Sequence, residues 1–243
     1  MANHSEGILA PRVAIMQPYL FPHMPYFQLI HSVDTFVFLD DVQWISRGWI
    51  NRNRILVDGR AFTFTVPVAK HPRSARICSV ELAPGEAWHN LMSRRLGHAY
   101  ARAPYLAQVR ELVARVAHSS DETAAGLAIG SIQQVCEYLG LRKQFLRSSR
   151  CSPESAELRA GQRLITVARE LRCGHFINSE GGRGLYTTEM FAAAGLTLSF
   201  LSSEIVTYPQ SGHEFVGGLS ILDALVWNPP DTVREWLGRY ALV

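Results

Sequence analysis

The chain has 243 residues, 47% of them hydrophobic, with 24 Lys and Arg against 21 Asp and Glu for a net charge of +3. That composition supplies a sizeable core and excludes a disordered chain, a collagen-like repeat and a small disulfide scaffold; the mild positive charge admits an anionic substrate without singling out nucleic acid. Cys78, Cys136, Cys151 and Cys173 form no CxxC pair or other zinc-ligand spacing, which fits a reduced, cytoplasmic compartment and assigns them no metal. The opening MANHSEGILAPR lacks the features of a signal peptide, and no apolar run reaches the roughly 18 residues a membrane span needs, so no membrane partner is expected.

Residues 1–11 read as a flexible N-terminus, and residues 12–243 as one domain. A short apolar strand, Val13 to Met16, breaks into Gln17-Pro18-Tyr19-Leu20-Phe21-Pro22-His23, and a short helix over Pro25 to Ser32 leads to a second strand, Thr35 to Leu39: a βαβ opening. Two runs from Asn53 to Pro67 flank Asp58-Gly59, a dipeptide suited to a tight hairpin turn, and Ile77 to Leu82 is predicted as a further strand, giving an insertion over about 53–82. A helical segment follows over about 85–140, starting near Gly85. Tyr105, Val109, Leu112, Val113 and Val116, then Ala128, Ile132, Val135, Cys136 and Leu139, recur at helical spacing, and Gly140 stops the last helix. These stripes are assigned to core packing. Strand and helix then alternate: a strand from Gln144 to Ser148, a helix from Pro153 to Leu171, a strand at His175 to Asn178, a helix at Thr187 to Ala194 and a strand at Leu196 to Leu201. The tail from Leu219 to Leu242 reads as two helical pieces broken by Pro229-Pro230. Helices between strands predict a mainly parallel, Rossmann-like α/β sheet covered on both faces.

In such a sheet ligands sit outside the carboxyl ends of the strands, which directs attention to the polar groups there. Gln17 and His23 flank a turn stiffened by two prolines; an imidazole titrating near neutrality is a candidate general base, against the plainer role of an exposed turn residue. Asp40 and Asp41 are adjacent, so in extended backbone their side chains point to opposite faces and only one is expected in the crevice, where it would hold an ammonium, a metal or a sugar hydroxyl; a turn cap is the alternative. Gln43 follows, then Arg47, Asn51, Arg52, Asn53 and Arg54 with Trp44 and Trp49, a set able to grip phosphate and stack on a base or sugar, or to be a solvated loop. Ser148-Ser149 ends one strand. Asn178-Ser179-Glu180-Gly181-Gly182-Arg183-Gly184-Leu185-Tyr186 runs from a strand towards a helix, where small residues let backbone amides approach an anion. A triad drawn from Ser179, His213 and Asp223 has no GxSxG elbow behind it, so no acyl-enzyme is predicted.

MQPYLFPHMPYFQLI, DDVQWISRGWINRNRI, FTVPV, Trp88-His89, the Tyr100 to Tyr105 region, Ser148-Ser149, INSEGGRGLY and LSILDAL together resemble the WbqC-like family over about residues 12 to 237. Two places depart from its pattern: His23-Met24-Pro25-Tyr26 replaces the usual Tyr-Ile-Gly-Tyr turn, and Val216-Gly217-Gly218 stands where an aromatic or proline is usual. The resemblance implies work in O-antigen, other surface-polysaccharide or natural-product biosynthesis, with transfer of an aminoacyl group, glycyl for example, to an amine of a sugar or small metabolite. Under that implication His23, Asp41 and Gln17 are the catalytic candidates. Tyr19, Phe21, Asp40, Gln43, Trp49, Asn51, Arg52, Asn53, Ser148, Ser179, Gly181, Gly182 and Tyr186 are the substrate-binding candidates. The donor would be an aminoacyl-tRNA, a carrier-protein thioester or an adenylate made with ATP and magnesium, and the arginines at 47, 52, 54, 94 and 95 suit any of these anionic carriers. A looser likeness to HIGH-type nucleotidyltransferases, with one histidine in the turn and His31 too distant to replace its partner, keeps adenylation as an alternative, and a non-catalytic nucleotide-sugar-binding module is another.

Overall fold

The computed structural model describes residues 10–84, 87–117, 121–210 and 214–243; the expected helix start at Gly85, the triad candidate His213 and most of the N-terminal stretch lie outside these. The strands are β1 (Arg12–Met16), β2 (Thr35–Phe38), β3 (Arg52–Val57), β4 (Arg60–Thr65), β5 (Gln144–Arg147), β6 (His175–Ser179), β7 (Thr197–Ser203) and β8 (Tyr240–Leu242). The helices are α1 (Met24–His31), α2 (Trp88–Ala99), α3 (Leu106–Ala117), α4 (Ala124–Tyr138), α5 (Ser148–Cys151), α6 (Ala160–Glu170), α7 (Thr188–Ala192), α8 (Ile221–Trp227) and α9 (Pro230–Trp236).

Six strands form one sheet in the order β5-β2-β1-β6-β7-β8, parallel throughout except for β8. The chain runs outward from β1 through β2 to β5, then returns to the far side of β1 with β6 and β7. The order therefore reverses between β1 and β6, the switch point at which doubly wound sheets open a crevice. The β1–β6 ladder joins only Arg12 to His175 and Val13 to Phe176, whereas β1 pairs with β2 through Met16 and Phe38, so the ladder at the switch point ends short of the carboxyl edge.

Strand alternation sends Ala14, Phe36, Phe38, Ile177 and Leu201 into one core with α1, α3, α4 and α8, and Val13, Ile15, Val37, Phe176, Leu198 and Phe200 into a second with α6 and α7. Burial on both faces is why these strands read as unbroken apolar runs; each buried phenylalanine contributes about 1.5–3 kcal/mol. The hairpin β3–β4 is a separate sheet whose turn, Asp58 (φ 48°) and Gly59 (φ 73°), has both central residues in the left-handed region, as a type I′ turn requires.

The fold departs from expectation in three places. Residues 77–82 do not form a strand in the hairpin ladder: Ile77–Ser79 is a 3-10 turn, Ile77 N donating to Val42 O and Cys78 N to Asp40 O in the loop after β2, and only the end of the segment meets the hairpin's continuation, through a Val68–Leu82 antiparallel bridge. The long helix expected from Pro153 is a 3-10 turn, Pro153–Glu157, separated from α6 by extended residues at Leu158 and Arg159. At the C-terminus Pro230 starts α9 rather than merely breaking a helix, and the chain then ends in β8, an antiparallel edge strand pairing Leu201 with Leu242.

Candidate functional site

The turn after β1 is held from several sides. Phe21 N donates to Ser131 Oγ (2.9 Å) on α4, Asn53 Nδ2 to the carbonyls of Leu20 and Phe21 (both 2.8 Å), Ser220 Oγ to Phe21 O (2.8 Å), and Leu20 N to Trp49 O (2.9 Å). Phe21 takes a positive φ of 41° and is fully buried. Such anchoring fixes His23, which caps the N-terminus of α1 through its extended backbone.

His23 lines a cavity of about 240 Å³ between the start of α1, the carboxyl end of β7 and the start of α8; Tyr208, Phe215, Val216 and Ile221 supply much of its wall. His23 is itself exposed, at the mouth of this cavity; the protein packed around the ring and then the Arg54 guanidinium lower its pKa from the ordinary value, which favours the neutral imidazole at pH 7. Arg54 donates to Gly218 O (2.9 Å), and its guanidinium and that of Arg52 both stack on the Trp49 ring, at 5.4 and 5.3 Å. Behind the wall, fully buried Asp223 accepts from Tyr100 Oη (2.8 Å), Tyr208 Oη (2.8 Å) and Gln210 Nε2 (2.6 Å); burial raises its pKa. Tyr100 Oη also accepts from Leu56 N (2.9 Å), so the network ties α2 and the hairpin to α8.

The two aspartates after β2 both reach Ser148 Oγ and differ in their other partners. Asp40, fully buried, accepts from Ser149 N (3.0 Å) and Ser149 Oγ (2.9 Å) at the start of α5, with Ser148 Oγ at 3.3 Å. Asp41 turns to the α6 side of the sheet, where its Oδ1 accepts from Ser148 Oγ and from Arg163 Nη2 at 2.5 Å. Asp41 and Arg163 line a second cavity of about 480 Å³ with Gln43, Arg76 and Tyr186.

Asp40, Asp41 and Ser148 are thus directly linked, and Asp41, Gln43 and Tyr186 share one cavity; His23 lines the other, on the opposite face of the sheet. Gln17 follows β1 half-buried, its carbonyl accepting from Tyr26 Oη (2.8 Å), and Tyr19 packs on the Tyr26 ring (5.7 Å) with burial raising its pKa. Asn51 and Asn53 are buried and bonded to backbone, Asn51 Nδ2 to Val66 O (2.7 Å), while Arg52 is tied to the carbonyls of Gly48 (2.9 Å) and Arg47. Trp49 is exposed at the surface. Ser179 ends β6, and Gly181 and Gly182 lie in a 3-10 turn, Glu180–Gly182; α7 begins later and is short, so the diglycine is not at its N-terminus. A Cβ on Gly182 would meet Asn178 Nδ2 at 2.4 Å, a packing need for glycine there. Among the described residues no group of three or more His, Cys, Asp or Glu is placed to hold a metal, and no helix is long and apolar enough to cross a membrane.

Sequence reasoning passed over Arg163, Arg76 and Tyr208, and gave Arg54 no role beyond the arginine cluster. For Arg163 a signal existed: it lies four residues before Val167 on the buried stripe of α6, where a charge needs a partner.

A doubly wound α/β protein with polar sites on both faces of its carboxyl edge is the class these features define. The chain belongs to the WbqC-like protein family, whose model matches residues 17–235. It is similar to the uncharacterized protein Rv1507c of Mycobacterium tuberculosis, with 27% identity over 218 residues, covering 88% of this chain and 92% of that one. No solved structure matches it.

Proposed function

We propose that this protein is an acyltransferase that moves an aminoacyl group, glycyl in the simplest case, to an amine of a sugar or small metabolite in surface-polysaccharide or natural-product biosynthesis. The observation that carries the reading is His23: a neutral imidazole at an apolar cavity on the carboxyl edge of the sheet, with the Arg54 cation close enough to lower its pKa. An attacking amine must lose a proton as the new C–N bond forms, and His23 would accept it. Arg54, with Gln17 beside the same turn, would stabilise the oxyanion of the tetrahedral intermediate. Trp49 with the Arg52 guanidinium stacked on it would hold the anionic part of the donor, whether aminoacyl-tRNA, carrier-protein thioester or adenylate. Asp41 belongs to the other cavity and is engaged by Arg163 and Ser148, which leaves His23 as the base.

The strand order, with its histidine turn leaving β1 at the switch point, favours one second reading, ATP-dependent adenylation or nucleotidyl transfer. The test is incubation of the purified protein with glucosamine and, in turn, glycyl-tRNA, a glycyl thioester, glycyl-adenylate, and ATP with magnesium and glycine. A mass gain of one glycyl group on the amine with any preformed donor supports acyl transfer. Pyrophosphate release in the ATP reaction alone supports the second reading, and ligand binding with neither product makes the chain a binding module.

A further inference from the structure

The cavity on the α6 side of the sheet takes no part in the chemistry assigned to His23. Its polar wall is built around a buried ion pair: the Asp41 and Arg163 side chains are 3% and 6% exposed. Removing two charges from water costs several kcal/mol per ion, and a well-packed apolar pair would serve stability as well or better. Arg163 Nε is also buried without a hydrogen-bond partner, a second sign that this wall is not built for stability alone.

The other charged groups decide what kind of ligand fits. Arg76 and Glu157, an exposed pair 3.5 Å apart, stand at the same cavity, so its two cations and two anions cancel. A neutral site does not draw in a polyphosphate or a nucleic acid, but separated charges of both signs suit a molecule carrying both. Leu158 and Leu164 give the remaining wall an apolar character, and Tyr186 adds a hydroxyl. At about 480 Å³ the cavity falls within the roughly 300–1,000 Å³ typical of small-molecule sites.

We infer that this cavity is a binding site for a small zwitterion of the α-amino acid class, its ammonium on the Asp41 carboxylate, its carboxylate on the Arg76 guanidinium and its side chain against Leu158 and Leu164. The inference goes beyond the acyl-transfer reading and holds whichever reaction His23 serves. Arg76 exchanges its exposed partner Glu157 for the ligand, at small cost because a solvated ion pair is weak.

Calorimetric titration of the full-length protein with each of the twenty free amino acids tests it, with the N-acetyl derivative and the decarboxylated amine of the best binder as controls. At least one amino acid is expected to bind with a Kd below about 10 mM, and either control to bind at least tenfold more weakly. Arg76→Ala and Leu158→Trp, both at exposed positions, are each expected to weaken binding at least tenfold without moving the thermal midpoint, the first by removing the carboxylate's partner and the second by filling the wall. The inference is overturned if no amino acid binds, if both controls bind as tightly as the amino acid, or if binding survives both substitutions unchanged. Loss of acyl transfer in the assay above leaves this titration untouched, so the two ideas fail separately.

Discussion

Replacing Arg163 by methionine should destabilise the fold sharply. Arg163 Nη2 lies 2.5 Å from Asp41 Oδ1, and both side chains are almost fully withdrawn from solvent. Without the guanidinium, Asp41 keeps Ser148 as its hydrogen-bond donor and becomes an uncompensated buried charge. Breaking one side of a buried pair costs about 3–5 kcal/mol, whereas replacing both sides by groups of similar volume is often neutral or better. For a domain of this length each kcal/mol shifts the midpoint by about 2–4 °C, so Arg163→Met should lower Tm by roughly 6–20 °C. Urea unfolding at pH 7, with scanning calorimetry alongside, measures both quantities. The double variant Asp41→Leu with Arg163→Met should return to within about 1–2 kcal/mol of the parent, because the two sites are in contact and their effects are not additive. A single-variant loss below about 1 kcal/mol, or a double variant worse than the single, would refute the reasoning.

Other predictions address the His23 side. Tyr100→Phe removes a donor from Asp223 and an acceptor from Leu56 N, both buried, and should cost about 1–3 kcal/mol in urea unfolding with the fold retained by circular dichroism. Because burial and then Arg54 lower the His23 pKa below 6.5, a rate that needs the free base should hold from pH 7 down past 6.5 and fall only at more acid pH. In Arg54→Met the His23 pKa, followed by NMR titration, should rise yet stay below 6.5, since burial is the larger cause; an unchanged value would separate the two residues. Gly218 has a φ of +68°, and a Cβ there would stand 3.1 Å from Arg54 Nη2, so Gly218→Ala should cost about 1–2 kcal/mol and shift the His23 titration in the same direction as Arg54→Met.

Much of the architecture could be read because local chemistry and long-range packing agree. The break of an apolar strand into Gln17-Pro18 marked the end of β1, and Asp58-Gly59 marked the hairpin, since few other dipeptides accept its turn. Where a segment's backbone bonds go elsewhere, pattern misled: residues 79–82 alternate like a strand, but Ile77 and Cys78 before them bond to the loop after β2, and β8 has three residues, too few for a periodicity. Adjacency suggested that Asp40 and Asp41 point apart, yet both reach Ser148 Oγ. That partner and Arg163 were not legible, because they lie more than a hundred residues away and meet the aspartates only once β5 and α6 are placed. One crevice was anticipated for the glutamine turn, the aspartates and the diglycine; the fold divides His23 from Asp41 by the thickness of the sheet, a division that depends on which face each loop crosses and that no local signal carries.

Trapping with hydroxylamine tests most directly whether His23 serves acyl transfer. Hydroxylamine is a small, strongly nucleophilic amine that bypasses the identity of the natural acceptor, and its reaction with a glycyl donor forms glycine hydroxamate and releases the carrier. Offered the glycyl thioester, glycyl-adenylate and glycyl-tRNA in turn, the parent protein should form hydroxamate faster than the uncatalysed reaction with one of them, and His23→Gln should lose about 10²–10⁴ of that acceleration while keeping its thermal midpoint. Equal rates for the parent and His23→Gln with every donor would contradict the account.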